Sequence, residues 1–366
     1  MNTRRLTYLG RVRIAAGAAV IGTALLASPA LAGESSAATP AVSPAGSALS
    51  PQLNSVQPDQ ARLGTASSST SLKPISLPTG FRPEGITSGA ARAFYVGSLA
   101  DGRILAGSFK TGTTRQLTAG VTGRSVRGME WDKRSNLLWV AGQDGSQGIV
   151  LAVDVTTGAV KHRIEIPGAK FLNDVLVEPH GVWVTDSQVD RLLRLDLSPK
   201  TGAWTGRQDL VPLKGEWPAT VAGKNGANGI SNLWDGTILL NNSTAGGIYT
   251  VSPYTGQARN ILVKRGPGIT GGDGLERKGH TLFVVRGNSQ NAVEALKLHH
   301  NSKGWRATWK KTLTSPQLDV PSTGAFVNHT LWTVNARFGV ANPESASYQI
   351  VPLGKKTMRG IETLLK

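Results

Sequence analysis

Glu84, Arg127, Asn173, Asn228, Asp273 and Thr323 each stand one residue before a small residue or an Asp that opens an apolar run. The openings are Gly85, Gly128, Asp174, Gly229, Gly274 and Gly324, spaced 43, 46, 55, 45 and 50 residues apart. Residues at one place in a repeat converge when the repeats are arranged round an axis. Glu84, Asn173, Asn228 and Asp273 would then form an all-oxygen ligand set, which suits Ca²⁺, Mg²⁺ or Mn²⁺ rather than zinc. Two carboxylates match the charge of a dication, and without one they would repel each other and tend to hold a proton. The same residues could instead make a hydrogen-bonded polar plug, with Arg127 paired to Glu84 or Asp273, because buried polar groups find partners in any case.

The elements that would position them also repeat. Tyr95, Trp139, Trp183, Leu239, Phe283 and Trp332 occupy one place in the second strand of each unit. A third strand follows, often with a Thr-Gly turn before a fourth, as in Val153-Asp154-Val155-Thr156-Thr157-Gly158. Four short strands per unit of this length predict an all-β chain, a six-bladed β-propeller of four-stranded blades. A β-sandwich with accidental periodicity is the competing fold, and it leaves the recurring large residue unexplained. In a propeller that residue fills the gap between neighbouring sheets. The sixth unit lacks its fourth strand. Pro74-Ile75-Ser76-Leu77-Pro78 resembles fourth strands such as Arg163-Ile164-Glu165-Ile166-Pro167. The N-terminal strand is therefore expected to close the last blade by pairing near Tyr348–Val351, covering two open edges.

Loops after the second strands return to the face where the repeated polar residues begin. They are expected to bring Asp186, Ser187, Asn241, Asn242, Asn288, Asn335 and Arg337 to the rim. Of these, Asn241, Asn288 and Arg337 are the expected substrate contacts, with Arg127. His180, His280 and His329 fall in turns at the opposite face, and His299 and His300 near a third-strand hairpin, which argues against a histidine base or a zinc site.

Composition bounds the classes. The chain has 366 residues, 44 of them Gly, with 39% hydrophobic and 17% charged, so a turn-rich β fold is favoured over charged helical bundles. The absence of Cys excludes disulfide scaffolds, thiolate metal sites and a cysteine nucleophile. Residues 1–32 read as a secretory signal: Arg4, Arg5, Arg11 and Arg13, an apolar stretch from Ile14 to Ala27, then Ala30-Leu31-Ala32. Cleavage after Ala32 would lower the formal charge from +17 to +13 and start the mature chain at Gly33. Residues 33–73, rich in Ala, Ser and Pro, read as a disordered spacer. The expected propeller spans 74–354 and a basic tail 355–366. A secreted, extracellular protein is expected, with a monomer as the working expectation and no stable membrane insertion.

Around these residues the chain resembles the regucalcin and gluconolactonase family, also called the senescence marker protein or LRE-like family. The resemblance covers residues 80–354 and rests on Arg82-Pro83-Glu84-Gly85, Leu172-Asn173-Asp174, Ala227-Asn228-Gly229-Ile230 and Gly272-Asp273-Gly274-Leu275. It implies a divalent cation, Ca²⁺ first and Mg²⁺ or Mn²⁺ next, held by Glu84, Asn228 and Asp273. Asn173 would be a further ligand or substrate contact, and Asp273 the general base. Sugar-binding members often carry Arg where this chain has Phe171, so Phe171 is an expected substrate contact and a less polar lactone or ester is expected. The implied activity is metal-dependent hydrolysis of that lactone or ester. The alternative is a non-catalytic secreted propeller whose basic surface holds an anionic cell-envelope polymer or a protein partner. Nucleic acid is not an expected partner, since no recognition motif accompanies the charge.

Overall fold

Short apolar runs closed by Gly, Asn and Asp turns leave strands as the only regular element of any length. The computed structural model describes residues 72–288 and 290–354, and among them there is no α-helix. The expected export signal, nearly all of the spacer and the basic tail lie outside the described residues.

After β1 (Ile75–Leu77) the chain runs as successive antiparallel meanders. The first is β2 (Pro83–Ser88), β3 (Ala93–Ser98), β4 (Ile104–Ser108) and β5 (Thr114–Thr118). The second is β6 (Arg124–Asp132), β7 (Leu137–Asp144), β8 (Gln147–Asp154) and β9 (Val160–Ile166). The third is β10 (Leu172–Glu178), β11 (Gly181–Asp186), β12 (Arg191–Leu197) and β13 (Trp204–Pro212). After the short β14 (Lys214–Gly215) come β15 (Ala227–Asn232), β16 (Ile238–Asn242), β17 (Ile248–Val251) and β18 (Gln257–Lys264). They are followed by β19 (Leu275–Lys278), β20 (Thr281–Arg286), β21 (Ala292–Asn301) and β22 (Gly304–Thr314). The last strands are β23 (Pro321–Val327), β24 (Thr330–Asn335) and β25 (Tyr348–Leu353).

The final sheet has the order β1-β25-β24-β23, with Ile75 opposite Ile350 and Leu77 opposite Tyr348. This is the closure expected from the missing fourth strand. Ile75 and Leu77 are buried in one cluster with Trp332, Tyr348 and Ile350 of the last sheet and Phe94 and Val96 of the first. One join was not legible in the sequence. The outer strands β18 and β22 pair in parallel, so two meanders merge, with β14 added beside β18, into a nine-stranded sheet.

The inner strands pack in a closed series: β2 on β6, β6 on β10, β10 on β15, β15 on β19, β19 on β23, and β23 on β2. Apolar clusters fill the gaps between adjacent sheets. Trp139 of β7 is fully buried against Leu172, Val175, Val184 and Leu193 of the next meander. No helix among the described residues is long and apolar enough to cross a membrane.

Candidate functional site

Each inner strand is irregular at the same place. The β2–β3 register jumps from Pro83 to Ile86, skipping Glu84 and Gly85. Equivalent jumps skip Arg127-Gly128, Asn173-Asp174 and Asn228-Gly229, and Asp273-Gly274 lie just before β19. A bulge re-aims a side chain out of the sheet's alternation, and here it turns one polar residue per meander toward the axis. The following glycine lets neighbouring backbones approach. A Cβ on Gly85 would overlap the Arg127 carbonyl oxygen, and one on Gly274 would overlap Thr323 Oγ1.

The last meander corrects the sequence reading by one residue. Its jump runs from Pro321 to Gly324, so Ser322 and Thr323 are the skipped pair. Ser322, not Thr323, is equivalent to Glu84, just as Pro321 is to Pro83. Ser322 is fully buried and its Oγ donates to the Glu84 carbonyl at 2.6 Å, locking the ring's last strand to its first.

Glu84, Arg127, Phe171, Asn173, Asn228, Asp273 and Asn288 line one cavity of about 690 Å³. Glu84, Arg127, Asn173, Asn228 and Asp273 are all at most 8% exposed. The amides are oriented by a hydrogen-bond chain. Asn173 Nδ2 donates to Ser187 Oγ and to Asn228 Oδ1, both at 2.9 Å. Asn228 Nδ2 donates to Ser243 Oγ at 2.9 Å, and the Ser187 and Ser243 hydroxyls donate to the Ala227 and Gly272 carbonyls. This fixes Asn173 with Oδ1 free of hydrogen bonds.

Electrostatics at the floor are unfavourable. Burial pushes the Glu84 carboxyl well above its ordinary range; Asp273 pushes it further and Arg127 opposes. Burial lifts Asp273 to about 7, with Asp174 adding to the rise and the Asn228 amide pulling it back. Asp174 itself rises to about 6 through burial, against the N–H groups of Ile230 and Val175 that its carboxylate accepts. A buried pair of carboxylates with few donors, beside a free amide oxygen, fits a hard dication by charge and donor type. No trio of His, Cys, Asp or Glu is arranged for a metal among the described residues, so such an ion would rest on two carboxylates and amide oxygens.

The hydrogen-bonded chain expected of a polar plug is present, but its arginine forms no close ion pair, although the charges of Arg127 and Glu84 still interact. Arg127 makes no ion pair with Glu84 or Asp273. Its guanidinium lies 3.9 Å from the centroid of Phe171, and Nη1 donates to the Leu172 carbonyl at 3.3 Å. Phe171 thus presents one ring face to a cation rather than an open apolar wall. Two expected substrate contacts do not reach the cavity. Asn241 is fully buried and donates to the Asp273 carbonyl, holding that backbone from beneath. Arg337 turns away to Asp319 at 2.6 Å and the Ser347 carbonyl. Asp186, Asn242 and Asn335 serve as buried turn braces, accepting from backbone N–H groups of Phe171, Ala245 and Asp319.

Sequence reasoning missed Arg82, Lys224, Ser243 and Phe338, which also line the cavity. It also missed a second cavity of about 160 Å³ one to three residues further along the inner strands, lined by Glu130, Asp174 and Glu276. The signal for Glu130 and Glu276 was present, since each pairs with a second-strand aromatic, Trp139 and Phe283.

No family model matches the chain, and no curated protein does. Solved structures do match. The Malassezia sympodialis allergen Mala s 1 is 12% identical over 76% of this chain and 95% of its own, with a TM-score of 0.59. A luciferin-regenerating enzyme is 12% identical over 76% and 95%, with a TM-score of 0.53. A Thermus thermophilus protein described as a glucose dehydrogenase is 12% identical over 77% and 100%, with a TM-score of 0.53. At these identities the likeness is one of fold: the chain is an all-β protein of the propeller class.

Proposed function

We propose that the protein is a secreted six-bladed propeller hydrolase that opens a lactone or related ester, using a divalent cation at the axis, with Ca²⁺ preferred over Mg²⁺ or Mn²⁺. The observation that carries this reading is the pair of buried, under-partnered carboxylates, Glu84 and Asp273, facing one cavity beside the free oxygen of Asn173. The fold it shares with a luciferin-regenerating enzyme is compatible with the family resemblance.

Glu84, Asn228 and Asp273 would hold the cation, with Asn173 beside them. A bound dication supplies the positive charge that polarises the carbonyl and stabilises the oxyanion formed during attack. The chain's own groups do the rest. Asp273 takes a proton from water as the water oxygen bonds to the carbonyl carbon. The ring C–O bond then breaks, the proton passes to the departing alkoxide, and a hydroxy acid results. Asp174, next along the axis, raises the basicity of Asp273. Asn173, held by Ser187 and Asn228, positions the substrate.

Titration of the melting temperature with Ca²⁺, Mg²⁺ and Mn²⁺ tests the site. A hundredfold excess over the dissociation constant should add about 2.7 kcal/mol of stability. Glu84→Ala and Asp273→Ala should each remove the shift. A panel of lactones and aryl esters tests the chemistry. A cation shift without turnover on any of them would favour the binding module, for which the formal charge of +17 speaks.

A further inference from the structure

Arg127 differs from the other arginines with little exposure. It is 8% exposed and lines the principal cavity, yet no carboxylate lies within ion-pairing distance of it. Arg286, the other guanidinium buried to this degree among the described residues, pairs with Glu294 at 3.2 Å and also donates to the Thr270 carbonyl. Taking a guanidinium out of water is costly unless its charge and its N–H groups are met. Arg127 spends one N–H on the Leu172 carbonyl, and a guanidinium carries five donors. The Phe171 ring packs on the guanidinium at 3.9 Å, which restricts its movement and leaves N–H donors unspent.

The surroundings add to this. Lys224 and Arg82 line the same cavity. A dication would neutralise Glu84 and Asp273, leaving the Arg127 charge uncompensated. One planar monoanion meets both demands, since a carboxylate takes two parallel N–H bonds from a guanidinium edge. A neutral sugar ring can accept the N–H bonds but leaves the charge unmet.

We propose that Arg127, packed against Phe171, is the recognition group for a carboxylate on the substrate, so that the compound opened at this site is a lactone or ester bearing a free carboxylate. This rests on reading the cavity as a reaction site, and the test separates the two ideas. Binding is measured by calorimetry on the full-length protein with Ca²⁺ present, using 5-oxotetrahydrofuran-2-carboxylate and its carboxamide, with inorganic phosphate as competitor. The wild type should bind the carboxylate at least tenfold more tightly than the carboxamide, and phosphate should compete weakly. Arg127→Gln should erase that preference, while Lys224→Gln should reduce it no more than threefold. Phe171→Leu should weaken carboxylate binding severalfold more than it weakens carboxamide binding. Equal wild-type affinity for the two compounds overturns the proposal whether or not the variants fold. So does stronger binding of phosphate than of carboxylate, or a preference that survives in Arg127→Gln and vanishes in Lys224→Gln. Carboxylate preference with no ring opening would leave Arg127's assignment standing and remove the hydrolase reading.

Discussion

The two axial cavities are built from the same strands and both hold carboxylates, buried in the larger and partly exposed in the smaller, but they treat them differently. In the smaller cavity Glu130 accepts the Val177 N–H, and Asp174 accepts those of Val175 and Ile230. These acids tie neighbouring inner strands together. In the larger cavity the carboxylates of Glu84 and Asp273 have no backbone donor, and the amides beside them are fastened to one another instead. A carboxylate that closes a backbone hydrogen bond contributes to the fold. One left without backbone donors in a roomy cavity is costly to the fold and available to a ligand. The contrast assigns structure to the first pair and function to the second.

The largest effect should come from crossing that line in turnover. Asp273→Asn should cut kcat by 10²–10⁴, the range for loss of a general base, while keeping most of the cation-induced melting shift. Glu130→Gln should leave turnover within about threefold, a difference of under about 1 kcal/mol in barrier. If both variants lose activity equally, the division between the cavities fails.

Asp174 sits between the two. Asp174→Asn should destabilise the protein by about 1–3 kcal/mol, because one of two buried N–H groups loses its acceptor. Removing the charge also lowers the pKa of Asp273. The acid limb of the pH–rate profile should therefore move to lower pH. Loss of stability without movement of that limb would make Asp174 a fold residue alone.

Part of this contrast was legible in the sequence. The column Glu84, Arg127, Asn173, Asn228, Asp273 could be read because each repeat spends one bulged residue on the axis. The slip from Ser322 to Thr323 arose because Gly324 imitates the anchor glycine of the other repeats, whereas Pro321-Ser322 is the true counterpart of Pro83-Glu84. Arg127 and Phe171 come from different meanders, and no spacing within one repeat reveals that they stack. The direction of Asn241 and Arg337 was equally hidden, since a loop's return to a face does not say which way its side chains turn. The parallel β18–β22 pairing depends on two outer edges meeting, which the sequence pattern does not encode.

The pH dependence of stability gives a third, smaller effect. Burial lifts Glu130 to about 8, above its ordinary 4.5. The folded chain then binds a proton that the unfolded chain releases between these values. Its contribution is complete below about pH 4.5 and is lost as pH rises through about 8. In chelator, the melting temperature should fall from pH 5 to pH 8. Each such group contributes a slope of up to about 1.4 kcal/mol per pH unit. Glu130→Gln should flatten that slope. A melting temperature that rises over this range would show Glu130 ionised and paired in the native state.

The smallest effect is expected at Glu276, and it bears hardest on the comparison. Glu276 lines the smaller cavity without a hydrogen bond, and burial, with Glu130 and Asp174 nearby, pushes its carboxyl well above the ordinary range. It is thus the one acid there that resembles Glu84 and Asp273. A raised pKa favours the protonated form, which a neutral amide of the same shape imitates, so the substitution changes little. Glu276→Gln should alter stability by no more than about 0.5 kcal/mol at pH 6 and leave the Ca²⁺ melting shift intact. If it removes the shift while Glu84→Ala retains it, the cation is held in the smaller cavity, and the roles assigned to the two ends of the axis are reversed.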